Sequence, residues 1–156
     1  MRDDQIDDAL RRAVFDFFYK FSRFEFALKE NDFWKNRKRG KIMTVEPDWK
    51  KFVNEKSIEL RATPEIEKLI ALNPKQQIVA KDGQLEWRPV KIDPLCKLTS
   101  AVCMLRVVRN NLFHGGKHGA DGWDDPERTK VLVTVGAQVL DQLAKLGLEQ
   151  DYGGKY

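Results

Sequence analysis

Between residues 3 and 29 the apolar side chains Ile6, Leu10, Val14, Phe17, Phe18, Phe21, Phe24 and Leu28 recur mostly at steps of three and four. That spacing gathers them on one side of a single long amphipathic helix. A helix of that kind cannot stand alone, because its apolar face must be covered by other elements. At 156 residues the chain suits one domain, and with 42% hydrophobic and 33% charged residues it can build a core.

The rest of the sequence supplies the partners. A second helix is expected after Pro47, capped by Asp48 and carrying Trp49, Phe52, Val53 and Leu60. Thr63-Pro64-Glu65 announces a third, with a cap followed by proline at the first helical position, running to about Leu72. Residues 78–87 read as a small hairpin around Asp82-Gly83, which has to lie on the helices through Ile78, Leu85 or Trp87. Asp93-Pro94 opens a fourth helix with Leu95, Leu98, Val102, Leu105 and Leu112 in a stripe, stopped by Gly115-Gly116. Asp124-Asp125-Pro126-Glu127 opens the last, which carries Leu132, Val135, Val139, Leu143 and Leu146 and closes at Gly147. The expectation is an all-α bundle of about five helices with one small β-hairpin, a single domain over 1–148. Residues 149–156 read as a flexible tail.

Several classes are set aside. No apolar run approaches the roughly 18 residues that span a bilayer, and the acidic N-terminus does not read as a secretory signal, so a cytoplasmic protein is expected. Cys96 and Cys103 lie seven apart on one helix, about 10 Å along its axis, so they cannot bond to each other. No ligand spacing suggests a metal, because Gly115 and Gly116 interrupt the helix between His114 and His118. No cofactor is implied.

The net charge of +4 is unevenly spread. Residues 35–61 carry nine basic against four acidic side chains, and residues 93–119 carry four against one. Two basic zones between acidic ends could make a surface for a phosphate backbone. The densest run, with Lys35, Arg37, Lys38, Arg39 and Lys41, is either a solvated loop between helices or a direct contact to RNA or DNA; its composition also fits a nuclear-localisation signal, which nothing else in the chain supports. Lys117 and His118 are further candidates for substrate contact, although His118 also reads as a plain loop residue. Trp34, Trp49, Trp87 and Trp123 read either as core anchors or as platforms for bases.

Two charges fall on faces that should be buried. On the fourth helix Arg109 lies within about 40° of Leu95, Leu98, Val102 and Leu105. A buried unpaired guanidinium costs several kcal/mol, on the order of 3–5, so Arg109 needs a carboxylate, a phosphate or an opening to water. Glu25 stands four residues after Phe21 and three before Leu28, so it shares the buried face of the first helix. The simplest expectation packs these two helices together and makes Glu25 the orienting partner of Arg109. A purely structural ion pair fits the same pattern. His114, five residues after Arg109 and at a helix end, has a side chain suited to acid–base chemistry near neutral pH. It also suits a helix C-cap, where an imidazolium favours the negative helix end.

Arg109-Asn110-x-x-x-His114, near the glycine-stopped end of a late helix, resembles the Rx4–6H motif of the HEPN superfamily. The helix order, with a long first helix and the motif on the penultimate one, is similar as well. That resemblance implies a helical domain that dimerises and cleaves RNA without metal. It implies Arg109, Asn110 and His114 as catalytic residues, RNA and a second copy as partners, and an antitoxin or inhibitor protein that restrains a toxin or defence activity. It also admits, as the alternative, a non-catalytic HEPN-like module that binds nucleotide, RNA or a partner protein, including one silenced by a nucleotidyltransferase antitoxin.

Overall fold

The computed structural model describes residues 6–59, 63–114 and 125–154. Along the chain run α1 (Asp8–Glu30), β1 (Trp34–Arg39), β2 (Ile42–Pro47), α2 (Trp49–Lys56) and α3 (Pro64–Leu72). They are followed by β3 (Lys75–Val79), β4 (Leu85–Pro89), α4 (Lys97–His114), α5 (Pro126–Ala144) and α6 (Glu149–Gly153). The all-α expectation is therefore corrected. Among the described residues the chain is a helix-rich mixed α/β fold with six helices and two antiparallel hairpins.

The unexpected hairpin is the basic run itself. Arg39 pairs with Ile42 and Trp34 with Pro47, so Gly40-Lys41 forms a two-residue turn. Gly40 has φ +61°, a conformation that suits glycine at the first central position of such a turn. The hairpin is fastened at its base, where Phe33 N donates to Leu28 O at 2.8 Å and Asp48 N donates to Phe33 O at 2.7 Å. The Phe33 ring is buried and meets Phe52 edge-on at 5.4 Å. No alternation of apolar and polar residues betrays β1, because Lys35, Asn36, Arg37 and Lys38 are all exposed. The second hairpin turns at Asp82-Gly83, with Val79 opposite Leu85.

Capping residues fix most helix starts. Asp7 accepts from Leu10 N at 2.6 Å and Asp48 from Lys51 N at 3.1 Å, while Asp125 accepts from Glu127 N and Arg128 N. The fourth helix starts a turn later than Asp93-Pro94 suggests. Asp93 accepts from Leu95 N and Cys96 N in the approach to α4, and Leu95 lies outside the stripe, almost fully exposed.

Helix α5 is the axis of the core. Ten of its nineteen residues are buried, on more than one side, and it packs on α1, α3 and α4. Helix α1 lies along α5 and buries Leu10, Phe17, Phe21, Phe24, Ala27 and Leu28. Gly136 permits a close approach, since a Cβ there would stand 2.7 Å from the Phe17 ring.

Residues 149–153, read from the sequence as part of a tail, form α6 and pack on α1. Arg23, buried on α1, donates to the carbonyl oxygens of Asp151, Tyr152 and Gly154, satisfying acceptors that the end of a helix leaves open. Tyr152 donates from its hydroxyl to Asp141 of α5 at 2.7 Å, and Asn31 donates to the Asp151 carboxylate at 2.9 Å. None of the described helices is long and apolar enough to cross a membrane.

Candidate functional site

Between α1, the first hairpin and the second half of α4 opens a cleft of about 630 Å³. Phe21, Pro47 and Trp49 form its apolar lining. Its charged lining is Glu25 from α1, Lys35 and Arg37 from β1, Glu46 from β2, and Arg106 and Arg109 from α4. Four cations face two carboxylates, so the cleft carries an excess of positive charge.

Arg109 resolves the conflict that its apolar surroundings pose by opening to this cleft. Its guanidinium lies over the rings of Phe21 at 5.9 Å and Phe113 at 5.2 Å. From Nη1 it donates to Asn110 Oδ1 at 3.0 Å. Among the described residues no carboxylate pairs with it. The side chain is half-buried, with its stem covered and its head reaching water.

Glu25 and Arg109 line the same cleft, yet they do not pair. Glu25 Oε1 instead accepts from the Trp49 indole N–H at 3.1 Å. The reason lies in the packing. Helix α1 lies along α5, and it meets α4 through aromatic rings, with Phe18 and Phe113 at 5.3 Å between centroids. The Glu25 carboxylate is taken by Trp49 of α2, and the Arg109 guanidinium lies on the Phe21 and Phe113 rings instead. Trp49, buried against Phe21 at 5.4 Å and Phe24 at 5.1 Å, is a core ring that lines the cleft and donates its N–H to Glu25 there.

The basic run is divided by the pleat. Lys35 and Arg37 fall on the face of β1 that lines the cleft, whereas Lys38 falls on the opposite face and Lys41 lies in the turn. Arg37 donates to Glu46 Oε1 at 2.5 Å, and this hydrogen bond, with the attraction of the opposite charge, raises the guanidinium pKa above its ordinary value. His114 is the last residue of α4. Its side chain, the side chain of Arg39, and the whole of Lys117, His118 and Trp123 lie outside the described residues.

Two cleft residues were not singled out by the sequence. Arg106 stands three residues before Arg109, on the same helical face, and that spacing is a readable signal. Glu46 had no such signal, since its place opposite Lys35 exists only once the hairpin register is known. Asn111, beside the motif, is structural: it is buried and donates to Lys75 O at 2.9 Å, tying α4 to β3. Among the described residues no three ligating side chains gather into a metal site. The chain matches no protein-family model, no curated protein and no solved structure.

Proposed function

We propose that the chain is a metal-independent endoribonuclease of HEPN type, acting as a homodimer. The observation that carries this reading is the Arg109–Asn110 pair on the wall of a cationic cleft, on the helix that ends at His114. An anion is the natural occupant of a positive cleft whose Arg109 guanidinium has no carboxylate partner among the described residues.

In the proposed reaction the 2′-oxygen of a ribose attacks the adjacent phosphorus and the bond to the 5′-oxygen breaks. The products are a 2′,3′-cyclic phosphate and a 5′-hydroxyl. His114 takes the 2′-proton or supplies the proton that the 5′-oxygen gains, and the matching histidine of a second copy does the other. Arg109 hydrogen-bonds the oxygens on which charge develops, and Asn110 holds that guanidinium in place. Phe15, Phe18 and Tyr19 of α1 and Phe113 of α4 are exposed large rings, and Phe113 adjoins His114. A second copy seated there would cover them and bring its own motif close. Unrestrained cleavage would harm the host, so an inhibitor or antitoxin partner, a toxin or defence role and a cytoplasmic site of action belong to the same proposal.

The test is incubation of purified protein with total RNA in EDTA, beside His114→Ala and Arg109→Ala. The expected result is fragments ending in cyclic phosphate from the native chain alone. Intact RNA in all three lanes, with RNA still bound, would put the non-catalytic module in its place.

A further inference from the structure

The cleft is larger than one phosphate needs, and its cations are not all at Arg109. Arg106 and Arg109 are separated by about 4.5 Å along the axis of α4. The helix thus offers two guanidiniums in sequence to a ligand that carries a charge on every residue. Across the cleft the pleat of β1 presents Lys35 and Arg37 in the same alternation. Neither Arg106 nor Lys35 is held by a carboxylate among the described residues, while Arg37 is held by Glu46.

We infer that Lys35, Arg37 and Arg106 form a second phosphate subsite, which seats the RNA phosphate next to the one at Arg109, with Glu46 as its resident counter-ion. This rests on the reading of the cleft as an RNA site. Glu46 keeps Arg37 Nη1 occupied when no ligand is present. A strand bearing several phosphates can displace it because the gain at Lys35 and Arg106 comes with the same ligand. A single small anion brings no such gain. The hairpin is thereby a selector for a polymer over free phosphate.

Arg106, Lys35 and Arg37 are all exposed, so substituting them one at a time leaves the core intact. The experiment measures anisotropy of a labelled single-stranded oligoribonucleotide, 2′-O-methylated so that it cannot be cleaved, over a range of salt in EDTA. Lys35→Ala, Arg37→Ala and Arg106→Ala are each expected to reduce the slope of log affinity against log salt by about 0.7, the value for one lost phosphate contact on a single strand. Glu46→Gln is expected to bind several-fold tighter, and Arg37→Ala combined with Glu46→Gln no tighter than Arg37→Ala alone. On unmodified RNA the three losses show in KM, whereas Arg109→Ala shows in kcat. A native chain that cleaves RNA while these slopes stay unchanged overturns the subsite and leaves the ribonuclease standing. The expected slopes without cleavage overturn the ribonuclease and leave the subsite standing. No binding by the native chain overturns both.

Discussion

Gly136 of α5 lies under the ring of Phe17 of α1 so closely that no side chain fits between the two helices. Alanine usually favours a helix interior over glycine by roughly 1 kcal/mol. Here its Cβ would stand 2.7 Å from a fully buried ring. Overpacking of that kind costs about 1–3 kcal/mol. Gly136→Ala is therefore expected to destabilise the protein, and a lower urea midpoint at unchanged slope is the result that shows it.

Glu25 serves Trp49, not Arg109, and its two simplest variants should separate accordingly. Glu25→Ala leaves a buried indole N–H without an acceptor, at a cost of about 1–3 kcal/mol. Glu25→Gln keeps an oxygen in place and should cost less than about 1 kcal/mol. Equal losses in both variants, measured by denaturant unfolding, would show that charge and not the acceptor is what matters.

The fork of Arg23 reaches three carbonyl oxygens at the C-terminal end of the fold. A lysine has one compact donor group and cannot reproduce that geometry. Arg23→Lys is expected to lose on the order of 2–4 kcal/mol, since a buried charge also loses its partners. Limited proteolysis under native conditions should then cut within 149–154 in the variant and spare the parent.

Tyr152 gives the contact between α6 and α5 a pH dependence. Burial first, and the hydroxyl's bond to the Asp141 carboxylate second, raise the phenol pKa above its ordinary value near 10. The folded chain thus keeps a proton that the unfolded chain releases. Stability is fully present below about pH 10 and falls as pH rises beyond it. The slope should be shallower than about 1.4 kcal/mol per pH unit, because part of the ring meets water. Tyr152→Phe is expected to cost about 1 kcal/mol near neutral pH and to lack this alkaline loss. Paired urea titrations at pH 8 and pH 10.5 measure both effects.

Arg109→Lys tests the proposed chemistry at its most demanding point. Lysine retains the positive charge but loses the planar fork and much of the contact with the Phe21 and Phe113 rings. If Arg109 stabilises the transition state, kcat for RNA cleavage should fall by roughly 100- to 1,000-fold. Thermal unfolding should change little, because the head of the side chain is in water. Retention of activity would mean that charge alone suffices.

The helices were legible because their signals are local. Asp48, Thr63 and Asp125 announce helix starts that the structure keeps, and the apolar spacing of α1 and α5 marks the faces that pack. The hairpin of 34–47 was hidden because its pairing is cross-strand and its exposed basic residues show no alternation of burial. Helix α6 was hidden for a related reason: its stability comes from Arg23, far away in sequence, and not from its own five residues. The convergence of Glu25 and Arg109 on one cleft follows from periodicity. Their failure to pair does not, because it depends on Trp49, which comes from another helix and takes the Glu25 carboxylate as its acceptor.

The first hairpin has two strands, and among the described residues no third strand pairs with either of its edges. On β2, Ile42, Met43 and Val45 are all exposed, in a stretch of high β-propensity that bears no charge until Glu46. Such an edge invites the same edge of another molecule. Lys35, Arg37 and Lys38 across the ladder, and Lys41 in the turn, are the gatekeepers that make that pairing unfavourable. The charge that would draw a nucleic acid into the cleft is thus also what keeps this strand from growing into an intermolecular sheet.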